Sequence, residues 1–238
     1  MLVLLLLAAC TPTAERPASL RVMTWNVLTS RHDPADWAPT IAAARPDVVG
    51  LQEICAVEAG ELADLLGREH GLDYVAVPGP VVPTPAEDAA PVNAALRRPC
   101  ADRGPVTYGL AMLVRRPVVA ATVQLFAPDR RDEQRGYQRV DLGSFVVLNA
   151  HLGLNGVAGA QQAALAAAVD GRPTVVLGDL NSVDVGPLGS LTSVGSFPTT
   201  GAGAIDHVLV RGFGVVSADA PPVTVSDHRP IVADLAGP

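Results

Sequence analysis

Residues 174–181 read Thr-Val-Val-Leu-Gly-Asp-Leu-Asn, and this stretch decides the fold class. Thr174 to Leu177 is a short uncharged run of β-branched and aliphatic side chains, the pattern of a strand buried on both faces. Gly178-Asp179 ends it, and Asp179 and Asn181 pass into a loop, where functional groups tend to be placed. A carboxylate at the end of a buried strand is costly unless it meets a partner or a cation. The pattern recurs upstream. Asp47 to Leu51 is a second apolar run and delivers Gln52 and Glu53. Residues 20–27, Leu-Arg-Val-Met-Thr-Trp-Asn-Val, alternate as a strand and deliver Asn26. In Leu148-Asn149-Ala150-His151-Leu152, Asn149 and His151 are two apart and share one face of a strand.

Working outward, helices are predicted from Asp33-Pro34 to Pro46, from Ala56 to His70 with Gly71 as a stop, and from Gln161 to Val169. Further strands are expected at 72–77, 108–115, 117–126, 138–142, 144–151, 205–210, 213–218 and 230–235. Turns at Arg115-Arg116-Pro117 and Asp141-Leu142-Gly143-Ser144 read as hairpins, which predicts an α/β protein with mixed sheets. Residues 78–107 are crowded with proline and read as one long functional loop, and residues 182–204 also read as loop. The chain of 238 residues supports one sizeable core, placed at 20–238.

Hydrophobic residues make up 49% and charged residues 17%, which excludes a disordered chain. The formal net charge of −7 and the lack of a basic run argue against strong non-specific binding to DNA. Residues 2–9 are apolar but too short to span a bilayer, and 1–9 fits an export leader. Leu7-Ala8-Ala9-Cys10 resembles the lipobox of bacterial lipoproteins, in which the cysteine carries the lipid. Residues 10–19 then read as a polar tether. That implies an exported protein, lipid-anchored on the outer side of the cell membrane or secreted. The remaining pair, Cys55 and Cys100, suggests a disulfide in such a protein, tying the Pro-rich stretch beside Glu53.

Hydrolysis of a phosphoester needs charge neutralised on phosphoryl and leaving oxygens, and a hard divalent cation held by oxygen ligands does this. Glu53 offers a carboxylate and Asn26 an amide oxygen. Asp206, in Ala204-Ile205-Asp206-His207, could fix the tautomer of His228, in Val225-Ser226-Asp227-His228-Arg229-Pro230. Singly, each of these residues reads as a cap, a turn or a satisfied core residue. His207 reads as an outward-facing surface residue. Arg130, Arg131, Arg135 and Arg139 interleave with Asp129, Asp132 and Glu133 and read as a solvated face.

The order is more specific than the parts. Thr-Trp-Asn, Leu-Gln-Glu, Asn-Ala-His-Leu, Gly-Asp-Leu-Asn, Ile-Asp-His and Ser-Asp-His-Arg-Pro, spread over residues 20–236, resemble the endonuclease/exonuclease/phosphatase superfamily. The resemblance implies a four-layer αββα sandwich, with two mixed β-sheets packed face to face and helices outside. It implies a metal site at Asn26, Glu53 and Asp227. His228 would be the catalytic histidine, oriented by Asp206, and His151 would contact phosphate. Asp179 would position water and Asn181 would stabilise the pentacovalent phosphorus. Asp179 and His228 compete for the role of general base.

The activity implied is Mg²⁺-dependent, or Mn²⁺-dependent, hydrolysis of a phosphodiester or phosphomonoester by in-line attack of water. The substrate is a small molecule, a lipid headgroup or nucleic acid, and the protein is expected to be a monomer. Two alternatives stand beside it: a secreted or surface nuclease acting on DNA, and a catalytically inactive ligand-binding lipoprotein.

Overall fold

In the computed structural model the described residues are 19–82, 100, 108–127, 133–154 and 156–238. The expected leader and tether with Cys10, most of the Pro-rich stretch beyond Val82, and Arg130 and Arg131 lie outside them. The elements run β1 (Ser19–Asn26), α1 (Pro34–Ala44), β2 (Val48–Cys55), α2 (Ala56–His70), β3 (Val75–Val82), β4 (Tyr108–Val114), β5 (Ala120–Leu125), β6 (Gly136–Asp141) and β7 (Val146–His151). There follow α3 (Ala158–Ala167), β8 (Thr174–Asp179), β9 (Thr192–Ser193), β10 (Asp206–Arg211), β11 (Gly214–Asp219) and β12 (Ile231–Ala236). No helix among the described residues is long and apolar enough to cross a membrane.

The strands form two six-stranded sheets, ordered β11-β12-β1-β2-β4-β3 and β5-β6-β7-β8-β10-β9. Both are mixed: β1 pairs parallel with β2, and β7 with β8, within otherwise antiparallel neighbours. Side-chain alternation sorts the core into layers. Val22, Val48, Met112 and Val114 of the first sheet meet Val140, Val147, Val175, Leu177 and Val208 of the second. On the first sheet's other face, Trp37 and Ile41 of α1 and Leu62 and Leu66 of α2 pack on Met23, Trp25, Val49, Leu51 and Leu113. Leu165 of α3 packs on Leu148, Val176 and Leu209 of the second sheet. Each such fully buried aliphatic side chain contributes roughly 1.5–3 kcal/mol of burial. The fold is therefore the four-layer sandwich that the resemblance implied.

Two local expectations are corrected. The turn after β4 is not a hairpin, because β4 already has β2 on one side and β3 on the other. With both its edges paired, the chain crosses to the second sheet and begins β5 there. The Asp141–Ser144 turn does close a hairpin, between β6 and β7. The start of the Pro-rich stretch is also not loop: β3 continues through Pro78 and Pro80 to Val82. β3 is the edge of its sheet, where proline's missing N–H leaves no ladder bond unmade.

A polar link joins the sheets inside the core. Asn149, fully buried on β7, donates through Nδ2 to the carbonyls of Leu51 (2.9 Å) and Ala111 (3.0 Å) on the first sheet. Its Oδ1 accepts from Gln52 Nε2 at 2.7 Å, and Gln52 Nε2 also reaches Thr24 Oγ1 at 3.1 Å. Gly50 leaves room for it, since a Cβ there would lie 2.9 Å from Asn149 Oδ1. Near the sheet edge, Cys55 and Cys100 form a disulfide packed on Val81, Tyr108 and Leu110.

Candidate active site

Strand register builds the site. His151 at the end of β7 pairs with Asp179 at the end of β8, and Asp179 pairs with Asp206 at the start of β10. Matching positions on neighbouring strands project to one face, so the three side chains stand in a row. The first sheet contributes from the same end of the sandwich. Asn26 closes β1 opposite Gln52, and Glu53 follows.

Glu53 occupies a β-bulge, where the β2–β4 register slips between Gln52 and Ile54. Its φ of +53° lies in the left-handed region, as do those of Leu28 (+52°) and Asn181 (+46°). A bulge re-aims a side chain that the sheet would otherwise turn inward. Here the carboxylate meets Asn26, whose Nδ2 donates to Glu53 Oε1 (3.0 Å) and to Asp179 Oδ2 (3.1 Å). One amide nitrogen thus joins the acids of the two sheets.

The turn after Val225 brings in His228. Trp25 Nε1 donates to the His228 carbonyl at 3.0 Å, and Ser226 Oγ donates to the Asn26 carbonyl at 2.7 Å. The His228 ring bonds through Nδ1 to Asp206 Oδ2 at 2.8 Å, and its Nε2 lies 3.7 Å from Asp179 Oδ2. His151 Nε2 lies 3.4 Å from the same oxygen. Asp179 Oδ2 is therefore the meeting point of Asn26, His151 and His228. Asn181 is tied to it through its backbone N–H on Asp179 Oδ1 (3.0 Å), and its Nδ2 donates to the Leu152 carbonyl at 2.8 Å.

Electrostatics separate the two histidines. Burial, then the charges of Arg135 and His228, hold the His151 pKa well below 6.5 and keep the ring neutral. Burial also depresses His228, but the bond and charge of Asp206, with Asp179 and Asp227, outweigh it and raise its pKa to about 9. Burial and the neighbouring Asp206 push Asp179 up to about 7, against the opposing pull of His228 and Asn26. Two buried carboxylates side by side call for a cation. Asp179, Asp206 and His228 form a group that could hold a metal ion, their ligand atoms lying within 4.8 Å of one another. Asp206 Oδ1 is buried with no hydrogen-bond partner among the described residues. An orphaned carboxylate oxygen among oxygen-rich neighbours fits a hard divalent cation.

Seven of the eight expected site residues come together. The eighth, Asp227, is exposed; it lends its charge to His228, and no described hydrogen bond or ion pair joins it to Glu53 or Asn26. His207 is not on the surface. It is buried, and its Nε2 bonds to the Ser182 carbonyl at 2.8 Å, because the chain after Asn181 covers that face of β10. Arg135 is not on a solvated face either: it is buried against His151 and pairs with Glu133. β6 begins at Gly136, opposite His151, two residues before the predicted start, and this carries Arg135 into the site. Tyr108 is a further residue without a sequence signal. It hydrogen-bonds Glu53, and burial with the charges of Glu133 and Glu53 raises its pKa well above 10.

The chain belongs to the Endonuclease/Exonuclease/phosphatase family, whose profile matches residues 23–228. Solved structures share the fold. A protein described as endonuclease/exonuclease/phosphatase from Beutenbergia cavernae is 24% identical with a TM-score of 0.68, covering 93% of this chain and 72% of its own. The human Nocturnin catalytic domain, solved with a bound sulfate anion, is 20% identical with a TM-score of 0.67, over 94% of this chain and 96% of its own. A mannosyl-6-phosphatase from Bacteroides thetaiotaomicron is 15% identical with a TM-score of 0.63, over 91% and 99%. No curated protein matches the chain significantly in sequence.

Proposed function

We propose that the protein hydrolyses a phosphoester with the help of a divalent cation, Mg²⁺ or Mn²⁺, by in-line attack of water on phosphorus. The observation that carries this reading is the convergence of Asn26, His151 and His228 on one oxygen of Asp179, with Glu53 on the same amide. Family membership supports it.

A divalent cation held at Glu53 would neutralise charge developing on the phosphoryl and leaving oxygens. The chain's own groups do the rest. Asp206 fixes the His228 ring through Nδ1 and holds it protonated, so His228 offers an imidazolium Nε2–H to a phosphoryl oxygen. That assigns the water proton to Asp179, in preference to His228. The second N–H of the Asn181 amide completes the oxygen contacts, and His151, whose Nε2 accepts from Arg135, stands beside Asp179. Asp227 stays outside this set and acts through its charge.

The test is hydrolysis of bis-nitrophenyl phosphate, nitrophenyl phosphate, a phospholipid and plasmid DNA with Mg²⁺ or Mn²⁺, then with the metal chelated. His228→Ala serves as control. Turnover that needs metal and vanishes in the variant is expected. No hydrolysis of any of the four by the wild type would refute the proposal.

A further inference from the structure

Thr199 lies in the Gly/Ser/Thr/Pro-rich stretch 182–204, to which the sequence reading gave no role. It is buried, with 2% of its surface exposed. Its hydroxyl donates to Asp206 Oδ2 at 2.5 Å, the same oxygen that accepts from His228 Nδ1 at 2.8 Å. Its carbonyl accepts from the backbone N–H of Arg229 at 2.9 Å, directly after His228. Its own N–H is anchored on the Gly203 carbonyl at 3.2 Å. One residue therefore grips both members of the Asp206–His228 pair, the acid by its side chain and the histidine's segment by its backbone.

We infer that Thr199 is a positioning residue for the phosphoester reaction, locking Asp206 in the rotamer that presents Oδ2 to His228. The hydroxyl works in one direction. A Thr O–H bound to Asp206 Oδ2 is committed as donor to that oxygen and leaves Oδ1 turned away from this contact. Without it, Asp206 can rotate its orphaned Oδ1 toward Thr199's place, and the ring of His228 loses its fixed bearing on Asp179. The loss falls on the transition state more than on substrate binding, because Thr199 makes its described contacts to Asp206, Arg229 and the Gly203 turn.

This inference rests on the reaction proposed above, so its test has an arm that does not need turnover. Thr199→Val keeps the shape and removes the hydroxyl; Thr199→Ser keeps the hydroxyl. The two readouts are kcat and KM on bis-nitrophenyl phosphate with Mg²⁺, and exchange protection of the His228 Nδ1 proton by NMR. Thr199→Val is expected to lower kcat about tenfold, the worth of one charge-assisted hydrogen bond, with KM unchanged. It should also expose the Nδ1 proton to exchange, and Thr199→Ser should restore both. Unchanged kcat and a still-protected proton in Thr199→Val would overturn the inference, as would equal losses in both variants. If the wild type turns over no phosphoester while Thr199→Val still loses the protected proton, the reaction falls and the clamp stands.

Discussion

Replacing Asn149 by leucine tests whether the two sheets are held in mutual register by the amide between them. The side chain makes three hydrogen bonds, at 2.9 and 3.0 Å to the Leu51 and Ala111 carbonyls and at 2.7 Å from Gln52. Leucine fills a similar volume and makes none of them. At about 1 kcal/mol net per buried bond, the loss is about 3 kcal/mol. Burial of the added apolar surface recovers little, because Gly50 and Leu177 already close the space around the amide. Urea unfolding measures the change directly, with the slope expected to stay constant and the midpoint to fall. Gln52→Leu in the same background completes a cycle. The double variant should fall short of additivity by about 0.5–1 kcal/mol, since the Gln52–Asn149 bond is counted in both single changes. An Asn149→Leu cost below about 1 kcal/mol, or strict additivity, would show that packing alone sets the register.

Other outcomes follow from the same structure. Cys55→Ala with Cys100→Ala opens a loop of sequence separation 45, and chain entropy puts the loss at about 4 kcal/mol, read as a lower urea midpoint than the oxidised wild type. Glu53→Gly and Glu53→Ala both lose the carboxylate's bonds to Asn26 and Tyr108 and should lack turnover, but glycine alone relieves the left-handed backbone and should be about 1 kcal/mol the more stable of the two; equal stability would count against strain at that position. Gly178→Ala would bring a methyl within 2.3 Å of the Ala150 carbonyl, prising apart the strands that carry His151 and Asp179. It should cost about 1–3 kcal/mol in thermal or urea unfolding and lower kcat as well.

Much of the sandwich was legible because its strands are short and nearly uncharged. Thr174–Leu177 and Val48–Leu51 announce themselves by composition, and each hands an acid to the next turn. Asn26, Glu53, His151 and Asp179 stand where an apolar run stops and Asp206 where one begins; singly each reads as a cap, a turn or a core residue, and only the order of their motifs groups them. What failed depended on neighbours that no local pattern encodes. The hairpin expected at Arg115–Pro117 required β4 to have a free edge, and pairing with β2 and β3 removes it. Arg135 and His207 looked exposed because charges or polar groups flank them. Their burial comes from β7 and from the chain after Asn181, both distant or adjacent only in space. Thr199 carried no signal, since its one telling contact is with a residue seven positions away across a turn.

Of the four non-glycine residues with left-handed backbone, Leu28, Glu53 and Asn181 lie at the site end of the sheets, and the fourth, Arg45, caps α1. Each holds its conformation against a preference of roughly 1–2 kcal/mol, so the rim is the part of the molecule with the least free energy to lose on opening. Backbone amide exchange should therefore run as a gradient along the strands. The amides around Val175 and Val208, deep between the sheets, would exchange only with global unfolding. Those around Glu53 and Asn181 would exchange through small local excursions at the rim. A bound phosphate-like anion or cation should flatten that gradient from the site end alone.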